Sequence, residues 1–355
     1  MSQYLVLSHI DIQNANSIAG LTWGFPAITH FLGFTHALNR KLSSHYEGEY
    51  ESELTGCAVI SHTFENKVYQ PKQYADFEFL QSRNPPVLEK NKNGKKVPII
   101  EEGKMNLTVS LVIELNQSLA LTTEGIDELQ KKVFSMCCQM RLAGGTILNI
   151  KQVKLLSAST QEQHIAMLRK IKRLTMPGFV LLDRSDYLQN HYQTLLANHK
   201  ADESASVEPQ LLDAWLDYAA LKYKAVPQLN ENQKEPDKNT PADWEYVPKP
   251  NSGYLVPLMT GYKAISELYE PGVVLNTRDE VTPSRFVEAI HSIGEWKGMH
   301  SLNSVDEIIW RYEHDGQWYL CKQSCISTSE EDVNLGVLKT EQNQTLNFNE
   351  ALSLF

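Results

Sequence analysis

The stretch Met105-Asn106-Leu107-Thr108-Val109-Ser110-Leu111-Val112-Ile113-Glu114-Leu115 decides the fold class. Met105, Leu107, Val109, Leu111, Ile113 and Leu115 recur at every second position, with Asn106, Thr108, Ser110 and Glu114 among the residues between them. That period predicts a half-buried β-strand with one face in the core and a polar face outward. Working outward, residues 4–13 read as a strand. Val6, Ile10 and Ile12 fall on one face; Leu5, Leu7, His9, Asp11 and Gln13 fall on the other. A helix is predicted over 26–41. Pro26 suits its first turn, and Ile28, Phe31, Leu32, Thr35 and Leu38 keep helical spacing. Residues 55–64 and 146–156 read as further strands. A helix over 124–140 carries an apolar stripe of Ile126, Leu129, Val133, Met136, Cys137 and Met140, and Gly144-Gly145 reads as its end.

The resulting order, β-α-β-β-α-β, is the ferredoxin-like, RRM-like plan of an α+β protein. The plan hosts many unrelated functions. The outward face of 105–115 carries no aromatic residue, which argues against stacking bases on the sheet in the RRM manner. Residues 65–104 are too long for an ordinary hairpin loop. Their 83–104 half holds Arg83, Lys90, Lys92, Lys95, Lys96 and Lys104 against Glu89, Glu101 and Glu102, with turn signals at Asn84-Pro85-Pro86 and Asn93-Gly94. A protruding basic hairpin is expected there. Residues 151–173 are also basic, with Lys151, Lys154, Arg169, Lys170, Lys172 and Arg173 against Glu162. The segment 161–174 reads as a helix. The stretch 183–245 reverses the sign and is mainly acidic. It contains helix-like pieces at 186–198 and 210–224 and a polar linker at 227–241. The expected organisation is a domain over 1–157 with the hairpin insertion, a helical segment and acidic linker over 158–240, and a C-terminal mixed α/β region over 241–355 that packs on the first domain.

The chain has 355 residues, 42% hydrophobic and 21% charged, the balance of a globular protein. Its 33 basic and 43 acidic residues give a net charge of −10. That excludes a protein that coats nucleic acid with its whole surface, and leaves room for one basic face. No run of about 18 apolar residues occurs, so no membrane span is expected. Met1-Ser2-Gln3-Tyr4 lacks the form of a signal peptide, and a cytoplasmic location is expected. The five cysteines are odd in number, with Cys137 and Cys138 adjacent, which argues against a disulfide framework. Cys321 and Cys325 lack a second pair of ligands at zinc-site spacing. No metal and no cofactor is expected. Walker A, GxSxG, HExxH and GxGxxG patterns do not occur.

Several short segments have the chemistry to hold RNA. Arg141-Leu142-Ala143-Gly144-Gly145-Thr146 combines a cation with two glycines whose N–H groups a phosphate backbone can approach. Read alone, it is a helix cap followed by a tight turn, and the local evidence favours that structural reading. Gln13, Asn14 and Asn16 offer amides that read base edges or phosphates, and asparagine is also a turn residue. Trp23 and Phe25 can stack a base at the start of the first helix, or simply pack there. Arg278 and Arg285 flank Thr282-Pro283, a candidate helix start, and suit phosphates. Arg173 closes the basic run. Among 11 scattered histidines, His9 and His62 fall on candidate neighbouring strands. They are the pair from which a metal-independent ribonuclease could be built.

Five motifs in order carry a family resemblance: Ile12-Gln13-Asn14-Ala15-Asn16, Leu21-Thr22-Trp23-Gly24-Phe25-Pro26, Gly33-Phe34-Thr35-His36-Ala37-Leu38, Met140-Arg141-Leu142-Ala143-Gly144-Gly145 and Thr282-Pro283-Ser284-Arg285-Phe286-Val287-Glu288. Together they resemble the second Csy subunit of type I-F CRISPR surveillance complexes, a Cas-five-like RAMP family. The match covers roughly 1–180 and 250–300. The resemblance implies a non-catalytic, RNA-binding subunit for defence against foreign DNA. It implies a cap on the 5′ end of the CRISPR RNA that holds the repeat-derived handle. Implied partners are the CRISPR RNA, the large Csy subunit and the Cas-seven-like backbone subunit, with target DNA met only through the assembled complex. The family's glycine-rich loop maps to Arg141–Thr146 and its thumb-like insertion to about 65–104. The alternative reading is an endoribonuclease that matures CRISPR RNA, since some Cas-five-like relatives cut.

Overall fold

A computed structural model describes residues 2–46, 52–80, 82–83, 99–100, 103–201, 207–228, 236, 238, 240–277 and 279–323. The chain is α+β, with one large sheet and five helices among the described residues. In chain order the main elements are β1 (Ser2–Asn16), α1 (Ile28–His45), β2 (Leu54–Asn66), β3 (Lys104–Leu115), α2 (Thr123–Cys138), β4 (Arg141–Leu142), β5 (Gly145–Ala158), α3 (Gln161–Thr175), β6 (Phe179–Asp183), α4 (Ser185–Ala201) and α5 (Leu211–Ala219). They continue with β7 (Lys222–Pro227), β8 (Ala242–Val247), β9 (Tyr254–Ala264), β10 (Val287–Gly298), β11 (Trp310–Asp315) and β12 (Trp318–Gln323). The large sheet has the order β4-β5-β1-β3-β2-β6-β10-β9-β12-β11, and β11 also pairs with β2. No described helix is long and apolar enough to cross a membrane.

The chain divides into two compact units. The first gathers described residues of Met1–Leu182, Leu258–His291 and Trp296–Cys325; the second those of Asp183–Pro257 and Ser292–Glu295.

In the first unit β1 lies between β3 and β5, antiparallel to both. The sequence predicts one covered face for β3. The structure corrects this, because Ser110 and Val112 are as buried as Leu111 and Ile113. One face receives α1, where Thr35 bonds Cys57, the residue paired with Ile113. The other face receives α3 and the segment 299–309. There Tyr4, Val6, Ala58, Ile60, Val112 and Leu156 meet Met167, Ile171, Met299 and Ile308. A cover supplied from so far along the chain leaves no trace in the local period of β3.

A charged row crosses this sheet. Arg311 on β11 pairs with Gly56 on β2, and Gly56 pairs with Glu114 on β3. The Arg311 side chain passes over Gly56 and donates to Glu114 Oε2 at 2.8 Å and Oε1 at 2.6 Å. Thr55 Oγ1 donates to the same carboxylate at 2.8 Å. A Cβ on Gly56 would stand 2.4 Å from the Trp310 carbonyl oxygen and 2.8 Å from Arg311 Cγ. Burial alone would raise the Glu114 carboxyl, and the Arg311 and Thr55 hydrogen bonds overcome it, so the group lies below the usual carboxylate range.

In the second unit α4 and α5 pack through Leu188, Ala214 and Tyr218, with Leu255 and Ile293. His191 and Asp217 meet at 2.6 Å, and Lys222 bonds the second oxygen of Asp217. The expected helix over 210–224 ends at Ala219, where Ala220 turns extended and β7 begins. The linker 227–241 lies mostly outside the described residues.

Two expected helix boundaries also move. Helix α2 stops at Cys138, so Gly144-Gly145 do not terminate it. No helix follows Thr282-Pro283; an irregular segment leads into β10.

The Arg311–Glu114 pair gives a direct stability test. Arg311→Ala leaves a half-buried carboxylate unpaired and is expected to cost about 3 kcal/mol in chemical denaturation. The folded-state pKa of Glu114 is depressed, so its contribution is present above the unfolded value and fades as pH falls through the folded one. The gap between wild type and Arg311→Ala should therefore shrink on acidification below about pH 4.

Candidate nucleic-acid interface

Two bulges in β1 shape the site. Leu5 and Leu7 pair with Ile113 and Leu111, and Ile10 and Ile12 then pair with Val109 and Leu107. Directly opposed residues share a face, so these four residues of β1 lie together. The strict alternation expected from the sequence fails because Ser8 and His9 jointly oppose Ser110. His9 adopts φ 49°, in the left-handed region. A second register shift follows between Ile12 and Ala15, with Asn14 at φ 60°. Asparagine tolerates that conformation better than most residues. The bulges put His9, Asp11 and Gln13 on the face covered by α3.

That cover ends at Pro177. Ser8 Oγ donates to the Leu174 carbonyl at 2.6 Å, and His62 Nδ1 lies 2.7 Å from the Pro177 carbonyl. A carbonyl only accepts, so His62 carries its proton on Nδ1 and Nε2 accepts from Ser110 Oγ at 2.7 Å. Ser110 Oγ in turn accepts the His9 N–H at 2.9 Å. The His9 and His62 rings stack with centroids 4.0 Å apart. Burial, then the charges of His62 and Lys151, push the His9 imidazole below its ordinary pKa. Burial does the same to His62, against the Pro177 carbonyl.

Beyond the histidines the sheet face is polar and open. Thr108 Oγ1 donates to Asp11 Oδ1 at 2.8 Å. The Asn14 N–H donates to Asn106 Oδ1 at 3.2 Å, and Lys67 Nζ bonds the Asn14 side-chain oxygen. Asp11 pairs with Asn149, and Gln13 with Thr146. Gln13, Thr146, Asn149 and Lys151 are exposed.

The Arg141–Thr146 segment frames this surface as a two-residue hairpin. Arg141 pairs with Thr146 and Leu142 with Gly145, with Ala143 at φ 50° and Gly144 at φ 75° between them. Two consecutive positive φ values define a type I′ turn, whose twist suits a tight hairpin. The Ala143 carbonyl accepts the Asn16 N–H at 2.8 Å and fixes the turn to β1. A Cβ on Gly145 would meet the Ala15 nitrogen and the Gln13 oxygen, each at 2.8 Å, and Ile12 Cγ2 at 2.6 Å. Around Gly144 there is open space. Arg141 is exposed, and no ion pair holds it among the described residues. Leu142 and Ala143 are buried, so their side chains are not available at the surface.

The other sequence candidates divide. Asn16 spends its side chain on its own turn, bonding the Ile18 carbonyl at 3.0 Å and the Ile18 N–H at 3.1 Å. Trp23 is 40% exposed and leans on Phe79 of the insertion, with centroids 4.5 Å apart. Phe25 stacks on Phe31 at 5.6 Å and meets Trp296 edge-on at 4.8 Å, as a packing residue does. Arg285 Nη1 reaches the Gly316 carbonyl at 3.3 Å. Arg173 is exposed in the last turn of α3. Arg278 lies outside the described residues.

Within the expected hairpin insertion, Val68–Tyr69 pairs with Glu78–Phe79, and Ser82–Arg83 pairs with Ile99–Ile100. Lys90, Lys92, Lys95 and Lys96 lie outside the described residues. Tyr74, Phe77 and Leu80 are exposed. Among the described residues no cluster of histidine, cysteine and carboxylate is placed to hold a metal.

Sequence reading missed Asp11, Asn106, Asn149 and Lys67 as site residues. Asn106 and Thr108 were visible as the polar alternation of 105–115; that they face Asp11 and Asn14 is set by the bulges.

A family model described as CRISPR-associated protein (Cas_Csy2) matches residues 5–321. The chain belongs to the Csy2 family. The match spans both bulges, the glycine hairpin and the histidine pair. CRISPR-associated protein Csy2 of Pseudomonas aeruginosa (strain UCBPP-PA14) is 34% identical over 319 residues, 87% of this chain and 91% of that one. The resemblance carried by the five motifs is thereby shown, and the chain is a second Csy subunit of the type I-F kind.

The two glycines give opposite tests of the hairpin. Gly145→Ala drives a methyl group into the β1 backbone and is expected to lower the unfolding midpoint markedly. Gly144→Ala meets no atom and carries only left-handed strain, about 1 kcal/mol. Equal losses in thermal denaturation would contradict this geometry.

Proposed function

We propose that this family member is a non-catalytic RNA-binding subunit that caps the 5′ end of the CRISPR RNA and holds its repeat-derived handle. The observation that carries the reading is the open polar end of the sheet beside the Arg141–Thr146 hairpin. A single-stranded handle needs donors and acceptors for splayed bases and cations for phosphates. Gln13 and Asn149 supply amides, and Arg141 and Lys151 supply cations. The exposed Gly144 lets a sugar-phosphate backbone come close. The exposed aromatic residues of the insertion suit wedging between nucleotides, in the role of a thumb. Strand order β5-β1-β3-β2 fits a ferredoxin-like RAMP body. On this reading the large Csy subunit and a Cas-seven-like subunit are the protein partners, in the cytoplasm, and target DNA is met only through the complex.

The stacked histidines favour a second reading, an endoribonuclease. Their bonding weighs against it. Both His62 nitrogens are engaged, and both imidazoles lie below their ordinary pKa. A general acid needs a proton to give at neutral pH. Incubation with repeat RNA in chelator is expected to leave the RNA full length. Cleavage abolished by His9→Ala or His62→Ala would establish the enzyme instead.

The RNA reading has its own test. Anisotropy with handle RNA should show affinity falling as salt rises. Arg141→Ala should weaken binding about tenfold and make the salt slope shallower by about one, as loss of one phosphate contact does. Binding insensitive to salt and to Arg141→Ala would overturn it.

A further inference from the structure

The ribbon of β7 and β8 in the second unit has two unlike faces. Tyr223 pairs with Tyr246, Ala225 with Trp244 and Pro227 with Ala242. Directly opposed residues, and those two apart, share a face. One face is therefore Tyr223, Tyr246 and Trp244 around small residues. The other carries the pairs Lys222–Val247, Lys224–Glu245 and Val226–Asp243. The aromatic face is uncovered: Tyr223 is 58% exposed, Trp244 72% and Tyr246 49%. Tyr223 and Tyr246 meet edge to face at 5.9 Å, which preorganises them.

The electrostatics of the same unit select the occupant. Among its described residues the unit carries eight carboxylates against six cations, and four of those cations, all but Lys200 and Lys238, lie against an acceptor. Arg184 is held by Glu295 at 2.6 Å, Lys222 by Asp217, and Lys224 lies 3.9 Å from Glu245. Lys249 Nζ is spent on the Leu255 carbonyl at 2.7 Å. Asp186, Glu208, Asp213 and Asp243 add negative charge. A polyanion is repelled by such a field. A guanidinium is attracted by it and also stacks on tyrosine and tryptophan faces, which an ammonium does less well.

We propose that the Tyr223–Trp244–Tyr246 face is a docking surface for an arginine-rich protein segment. It stands apart from the RNA reading, since none of its residues belongs to the polar sheet end.

The experiment uses the full-length chain and three labelled probes: an octa-arginine peptide, an octa-lysine peptide and an octa-uridine RNA. Octa-arginine should bind at least fivefold more tightly than octa-lysine. Trp244→Ala should weaken octa-arginine at least fivefold and leave octa-uridine unchanged; the ring is exposed, so folding should survive. Trp244→Phe, which keeps a ring face, should restore most of the affinity. Equal affinity for both peptides, or octa-arginine binding untouched by Trp244→Ala, would overturn the proposal as mere charge attraction. Octa-uridine weakened by Trp244→Ala would overturn it in favour of RNA. Handle RNA binding through Arg141 is read separately, so either proposal can fail without the other.

Discussion

Strand β1 carries the central constraint of the first unit. It must pair along both edges, with β3 and β5, while giving up register twice against β3. Each loss of register is absorbed by a residue in the left-handed region, His9 and then Asn14. The first shift keeps Ile10 and Ile12 on the α1 side, where a regular strand would have turned them over. The same shift places Asp11 and Gln13 on the other face, beyond the reach of α3. A hydrophobic requirement on one side thus produces a polar platform on the other.

The glycine hairpin depends on that arrangement. Gly145 fits only because its missing Cβ leaves room for the β1 backbone, and the turn is tied down by the Asn16 N–H on the Ala143 carbonyl. Rigid placement of Arg141 and Gly144 beside Gln13 follows from close packing, not from a flexible loop. On the proposed reading, such preorganisation would lower the entropy lost when a strand of RNA is ordered on the surface.

Much of the fold was legible. Apolar period two marked β3, and helical spacing marked α1, α2 and α3, because those signals come from which atoms each element must hide. Boundaries at the glycines were not. Met140 continues the apolar stripe of α2, yet the helix stops at Cys138 and the chain turns to pair with β5. The candidate surface was legible in part. Gln13, Arg141 and Gly144 are exposed, whereas the Asn16 side chain bonds its own turn and Phe25 packs on Phe31 and Trp296. Amides and aromatic rings serve both ends equally well, so residue type alone does not separate them.

The sequence by itself determined the family, through five ordered motifs, and the alternation of strands and helices, through local periodicity. Tertiary structure alone decided which residues of β3 are covered, because α3 and residues 299–309 supply that cover from far along the chain. It also decided that His9 and His62 stack and that an arginine passes over Gly56 to reach Glu114. Such contacts join residues remote in sequence, and no local pattern records them.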